Sequence, residues 1–340
     1  MIENGDAVEG KGLPTGPRRP RRPFHAGRAG RRGKWGWHAS GWFPPATILQ
    51  PGGFLSRGTT MMGAHHAACG AAAWVAATTQ IEVHAGRFLP MLPDSVPLGV
   101  GLLEVSPVGV VTGALVTAGA ALLPDADHHN ATIAHSLPPL SNLLCAGVGA
   151  VSGGHRRGTH SLLGVAVFVA VAFVAGLWTI ETAEFGTVYP GAGLLTVLLA
   201  SFAAKALKII PDGMRRSPWV VGLTAGAFVT AFAPEEQFWF PIAMAIGVIV
   251  HILGDMLTTG GCNPVYPVRL RRPRGLGRFP VVAQVWRPNG NIAVPLLGNA
   301  GSLREWCLLV PVSLYALGGV GWAIMRIGDG QAAAHLSGLG

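Results

Sequence analysis

From Met61 onward the chain is a series of apolar runs separated by short polar joints. The runs fall at roughly 63–79, 100–123, 162–180, 192–210, 218–234, 239–257 and 306–326, each near the ~20 apolar residues that a helix needs to cross a bilayer. The first is short and rich in small residues (Ala71, Ala72, Ala73). The second holds Glu104 and Pro107 near its start, so its helix is expected to begin late. Gly109 and Gly113 within it suit close helix packing in lipid. A further run, 140–151, is too short to span and reads as a re-entrant or interfacial piece. No repeat of fixed period is visible. The pattern predicts an all-α fold: a polytopic transmembrane helical bundle of about seven spans, embedded over 61–340.

Composition supports this. Half of the 340 residues are hydrophobic and 12% are charged, against about a quarter charged in soluble domains. The formal net charge of +9 raises the question of nucleic acid, but its distribution argues against it. Residues 1–60 hold ten Lys/Arg against three Asp/Glu, and 61–340 hold fifteen against thirteen. The excess is a tail, with Arg18-Arg19 and Arg21-Arg22 broken by Pro and Gly. Such a segment buries too little apolar surface to offset its chain entropy and is expected to be disordered. It reads either as a polybasic patch for anionic lipid or as an extension ahead of an initiator at Met61 or Met62. Arg21-Arg22-Pro23-Phe24 is not a twin-arginine signal, because no continuous apolar stretch follows it before Met61. The four cysteines (Cys69, Cys145, Cys262, Cys307) form no CxxC pair, so neither a zinc ribbon nor a disulfide scaffold is signalled.

Loop charge predicts orientation. Segment 258–305 carries Arg269, Arg271, Arg272, Arg274, Arg278, Arg287 and Arg304, junction 205–217 carries Lys205, Lys208, Arg215 and Arg216, and segment 124–161 carries Arg156 and Arg157. The joints with Glu181 and Glu184, and with Glu235 and Glu236, have no base. Seven spans with the N-terminus inside place every basic segment on the cytoplasmic side; Arg87 and Arg326 stand against the pattern. A multi-pass protein of the inner or plasma membrane is expected.

Twelve histidines are many for so apolar a chain, and eight fall in four clusters. These are His65-His66 opening the first span, Leu123-Pro124-Asp125-Ala126-Asp127-His128-His129 closing the second, with His135 nearby, His155-Arg156-Arg157-Gly158-Thr159-His160-Ser161 opening the third, and His251-Ile252-Leu253-Gly254-Asp255 ending the sixth. The predicted topology brings all four to the cytoplasmic face. His251 and Asp255 are four apart, so on a helix they share a face and can share an ion. Imidazole and carboxylate are the usual ligands of hydrolytic zinc, and of manganese or iron. The Gly pair before His155 implies a loop that can fold back over the helix beginning near Thr159. Singly, each cluster has a plainer reading: an interfacial histidine pair, a helix-end turn, an N-cap at Thr159 or Ser161, a hydrogen-bonded packing histidine. Ionisable groups inside a membrane are costly and mark function by default, so their convergence favours a shared metal site. His25, His38, His84 and His335 belong to no cluster.

Met62-Gly63-Ala64-His65 together with the three later motifs resembles the YdjM-like family of LexA-regulated, inner-membrane-associated metal-dependent hydrolases. The resemblance covers roughly 61–265. The family pattern HRGxTHS has Gly where this chain has Arg157, and HLxxD has Leu where it has Ile252. The resemblance implies a reaction class and no substrate.

Motifs and resemblance together predict a membrane-bound metal-dependent hydrolase at the cytoplasmic bilayer face. The expected metal ligands are His65, Asp125, Asp127, His128, His155, His160, His251 and Asp255, around one or two divalent ions, zinc first and manganese or iron next. Asp127 or Asp255 is the expected general base, and Arg156 would orient an anionic substrate. Membrane lipids are the expected surroundings, a lipid or phosphoester a plausible substrate, and nucleic acid is not an expected partner. Two other classes remain open: a metal- or proton-coupled transporter, and a non-catalytic protein with a structural metal.

Overall fold

A computed structural model describes residues 63–337, apart from 85–90, 92, 129–130, 211–213, 215–216 and 235–237. The tail 1–60, Arg87, His129, Arg215, Arg216, Glu235 and Glu236 lie outside the described residues. All seven apolar runs contain helices. These are α1 (Gly63–Thr78), α2 (Pro107–Ala120), α4 (Leu162–Gly176), α5 (Pro190–Ala206), α6 (Ser217–Ala231), α7 (Trp239–Met256) and α9 (Leu303–Ser337). The short run forms α3 (Leu140–Val151), and α8 (Pro280–Val285) lies in the Arg-rich segment.

The helices are shorter than the runs. Pro107 lacks an N–H and disfavours helix at the residue before it, so α2 starts there, with Ser106 Oγ accepting from the Gly109 N–H at 3.2 Å. The run 162–180 stops at Gly176, and Ile180–Thr182 (β1) pairs antiparallel with Gly186–Val188 (β2) in a small hairpin. A second small antiparallel pair, β3 (Ile81–Val83) with β4 (Val96–Leu98), stands between α1 and α2. As a result α1, with 16 residues, is about 24 Å long against a hydrocarbon core of about 30 Å. Three stretches are long and apolar enough to cross by themselves: Pro107–Asp127, Trp239–Met256 and Leu303–Asp329. Helix length therefore supports three spans directly, fewer than the seven expected from the runs.

Helix α2 is the hub, packed against α1, α5, α7 and α9. Small residues let the backbones meet. A Cβ on Gly70 of α1 would lie 2.6 Å from the Thr117 carbonyl oxygen, and one on Gly247 of α7 would lie 2.7 Å from the same oxygen. The Trp74 indole lies flat against Gly113, and its Nε1–H donates to the Gly109 carbonyl at 3.2 Å. Trp74, Leu122, Leu199, Phe202, Trp239 and Phe240 complete the buried interior. The outer faces of α4, α6 and α9 are apolar and exposed, with Val167, Val171, Val174, Val220, Leu223, Leu314 and Leu317, as suits contact with lipid.

Because α1 and α2 are antiparallel while α2 and α7 run the same way, one end of the bundle collects the start of α1 and the ends of α2 and α7. The start of α4 and the start of α9 reach this same end. Gly247→Ala, which must push α7 away from α2, is expected to destabilise the bundle by about 1–3 kcal/mol, measured as a lowered unfolding midpoint in detergent. An unchanged midpoint would mean that the α2–α7 contact is slack.

Candidate metal centre

The polar end of the bundle holds a compact set of ligand atoms. His160 Nε2 and His251 Nε2 are 3.2 Å apart. Asp125 Oδ1 is 3.7 Å from each of them, and Asp255 Oδ2 is 3.4 Å from His160 Nε2 and 3.9 Å from His251 Nε2. Tetrahedral zinc with bonds of about 2.0–2.1 Å requires ligand–ligand distances of about 3.3–3.4 Å. These two nitrogens and two oxygens are thus close to an N2O2 coordination shell.

Hydrogen bonds aim the rings. His251 Nδ1 lies 2.7 Å from the Ala121 carbonyl, to which it must donate, so Nε2 carries the lone pair. His160 Nδ1 is 3.0 Å from Thr159 Oγ1. That hydroxyl donates to Asp127 Oδ2 at 2.8 Å, so it accepts from His160 Nδ1, and Nε2 is turned to the centre. Two imidazole nitrogens at 3.2 Å beside two carboxylate oxygens need a proton or a cation among them. Asp255 Oδ2 is buried with no hydrogen-bond partner, the mark of an oxygen meant for a cation. The residues present fit a divalent metal.

Two adjacent triads with no shared residue can hold ions: His66, His251 and Asp255, and Asp125, His155 and His160, each with ligand atoms within 4.8 Å of one another. His66 Nε2 is 3.5 Å from Asp255 Oδ1, and its ring stacks on His251 at 3.8 Å. The centre has room for one ion or for two sharing the carboxylates.

The structure distributes the expected residues unevenly. Asp125, His155, His160, His251 and Asp255 meet at the centre. His128 stands behind it, its ring edge-on to His155 at 5.0 Å. Asp127 lies beneath the ligands with both oxygens occupied. It takes His155 Nδ1 at 2.8 Å on Oδ1, and the Arg156 N–H at 3.1 Å and the Thr159 hydroxyl on Oδ2. It is placed to orient two imidazoles, as carboxylates behind metal-bound histidines do. His65 turns away from the centre, and its Nδ1 pairs with the buried Glu305 carboxylate of α9. Its neighbour His66 takes the place at the centre. Arg156 Nη2 donates to Asp255 Oδ1 at 2.9 Å and Nη1 to the Gly261 carbonyl at 3.0 Å. With 8% exposure, it braces a ligand rather than facing solvent.

His66, read from the sequence as half of an interfacial pair, and Thr159, read as an N-cap, are not among the expected site residues. Thr159 had a signal, being next to a candidate ligand and free once Ser161 caps α4 through the Gly164 N–H at 3.3 Å. The connecting loop needs its glycines: Gly153 has φ 72° and Gly154 φ 112°, and a Cβ on Gly153 would lie 2.3 Å from the Tyr266 hydroxyl. Arg156 is left-handed as well, at φ 62°, held there by its bonds to Asp127, Asp255 and Gly261. Arg157 has no positive φ, so a side chain there brings no left-handed strain.

Burial pulls the His160 pKa down. The carboxylates of Asp125, Asp127 and Asp255 outweigh it and hold the imidazole well above its ordinary value. The nearby Cys262 thiol is pushed by burial, and then by Asp255, up to about 12.

Residues 61–327 match the family model described as YdjM inner membrane protein. No curated protein and no solved structure matches.

Because His160 holds a proton that any ion must displace, metal binding near pH 7 should release about one proton per ion, and affinity should fall as pH is lowered. Calorimetric titration of zinc into the detergent-solubilised protein in buffers of different ionisation enthalpy measures this. Zero proton release would contradict the His160 assignment.

Proposed function

The chain belongs to the YdjM family of inner membrane proteins, and from that premise we propose that it is a multi-pass membrane enzyme, a metal-dependent hydrolase working at the cytoplasmic bilayer face. The observation that carries this reading is the buried N2O2 set of Asp125, His160, His251 and Asp255, with an unpartnered carboxylate oxygen, at the polar end of an apolar bundle. Such a donor set suits zinc first, and manganese or iron next.

A divalent ion bound there supplies Lewis acidity and lowers the pKa of a water molecule toward ~7. The chain's own residues do the rest. Asp127 and Thr159 fix the His160 tautomer, the Ala121 carbonyl fixes that of His251, and Arg156 holds Asp255 in place. Asp125 is the carboxylate that solvent reaches, its side chain 24% exposed. With His160, His251 and Asp255 as the three ligands, the fourth position would be left to water, and Asp125, standing at the open side of the cluster, would take a proton from that water rather than ligate. Asp127 is too fully engaged for that role. His155, with its side chain 32% exposed, borders the entrance. Substrate would be an ester or phosphoester arriving at headgroup level.

A transporter site tends to lie near the bilayer midplane between broken helices, whereas this cluster sits at intact helix ends. His251→Ala and Asp255→Ala should each lose bound metal by elemental analysis and any hydrolysis of ester and phosphodiester substrates. Thr159→Val should keep the metal at saturation with affinity weakened about 10–100-fold. Full metal stoichiometry in both ligand variants would end the proposal. Loss of stability with no turnover in the parent under any substrate would leave a structural metal instead.

In the proposed topology all seven apolar helices cross, and the Arg-rich segment is cytoplasmic. A reporter fused within 271–278 should read cytoplasmic and one after Gly340 the opposite side. Two cytoplasmic readings would put the span count wrong by one.

A further inference from the structure

Beside the metal centre lies a second feature that the ligand set does not use. A cavity of about 430 Å³ opens next to it, walled by the loop at His155–Arg157 and by the Arg-rich segment. His155 and Arg156 belong to both the cavity and the centre. Four arginines line it (Arg156, Arg157, Arg269 and Arg271), with Tyr266 and asparagines between them and no carboxylate.

The arginines divide by commitment. Arg156 is tied to Asp255 and Gly261. Arg157 is anchored by one nitrogen, Nη1 donating to the Gly153 carbonyl at 2.7 Å, which leaves the rest of its fork available. Arg269 and Arg271 have no side-chain hydrogen bond or ion pair among the described residues. They lie two apart in a tight turn, closed by the Arg271 N–H donating to the Arg269 carbonyl at 2.8 Å, and both line the cavity, while the Leu270 between them is 50% exposed. Elsewhere in the segment Arg272 bonds the Trp286 carbonyl, Arg287 the Thr259 carbonyl, and Arg278 lies over the Phe279 ring, while Arg274 and Arg304 do not line the cavity. Three guanidiniums with free donors around one cavity, and no acid in its lining, make it a place where an anion is attracted.

We propose that this cavity is the binding site for the phosphate of an organophosphate substrate, gripped by Arg157, Arg269 and Arg271 while the ester portion reaches the metal centre past His155. Planar guanidinium forks match phosphate oxygens in bidentate geometry, and the volume suits a small organic molecule. The role that anion orientation requires thus falls to Arg157 and the distal pair rather than to buried Arg156. The inference rests on the hydrolase reading for its meaning, but phosphate binding does not depend on turnover.

The test is calorimetric titration of inorganic pyrophosphate into full-length, chelator-treated protein in detergent, where no metal can contribute. The parent should bind. Arg269→Gln/Arg271→Gln should bind about a hundredfold more weakly, as expected for loss of two charge-assisted contacts. Arg278→Gln, outside the cavity, should match the parent. The double variant should take up zinc as the parent does, which separates this proposal from the metal centre. No binding by the parent, or equal binding by the double variant, overturns the pocket and leaves the metal reading standing. Loss of zinc uptake in the double variant overturns the claim that the pair binds phosphate only. Competition by nanodiscs containing phosphatidic acid, but not by phosphatidylcholine alone, identifies the phosphate as a lipid's. Absence of competition with pyrophosphate still bound identifies a soluble phosphoester.

Discussion

Two imidazole nitrogens turned inward, 3.2 Å apart and flanked by two carboxylates, set the terms for the surrounding structure. Such an arrangement cannot persist in a buried, apolar setting without a cation or a proton at its centre. His160 takes the proton when no ion is bound. The surrounding chemistry then follows as a set of restraints: a carbonyl holding His251, a hydroxyl relaying His160 to Asp127, a guanidinium holding one oxygen of Asp255 so that the other is free.

Those restraints come from four separate stretches of chain, so the bundle must deliver them to one place. It does this through close backbone approach around α2. Gly70 and Gly247 both press on the Thr117 carbonyl, which sets the height of α1 and α7 relative to α2. His251 then falls beside the Ala121 carbonyl at the end of the same helix. On α9, Glu305 binds His65 and also accepts from the Gly301 N–H, so the helix that returns from the Arg-rich segment is locked to α1 one residue from a ligand. A change in helix packing is therefore a change in the distances among these side chains, which ties the geometry of the cluster to the stability of the bundle at this end.

Much of this was legible in the sequence, for definable reasons. Helical spacing put His251 and Asp255 on one face, and charged groups at the ends of apolar runs pointed to one end of the bundle. What could not be read was set by tertiary packing. His65 and His66 are adjacent, and which of them faces the centre depends on where α7 and α9 lie against α1. Asp125 and Asp127 differ only in which neighbours reach them; three donors from the 155–159 loop converge on Asp127 and none of those on Asp125. Arg156 looked like a substrate handle because its left-handed backbone, which turns it inward, has no sequence signal at a non-glycine position. Helix lengths fell short of the runs because apolar residues also serve hairpins and cap regions, and hydropathy does not distinguish those uses.

The Arg-rich segment shows how a stretch with little regular structure can still be built. Its backbone is tied to the end of α7, with Cys262 paired to Ile292 and the Leu297 N–H donating to the Leu257 carbonyl at 3.0 Å. Guanidiniums then act as staples, Arg272 to the Trp286 carbonyl and Arg287 to the Thr259 carbonyl. A guanidinium suits this work because it offers several donors in a fixed plane and keeps its charge. Once the wall is held by these arginines and by buried Asn263, whose amide donates to the Val268 carbonyl at 3.1 Å, the remaining pair at 269 and 271 is positioned without being consumed. Loop-charge counting treats all seven arginines alike, as markers of a membrane side. Hydrogen bonds mark Arg272 and Arg287 as parts of the wall, whereas Arg269 and Arg271 line the cavity with no side-chain partner among the described residues, a division that the total charge hides.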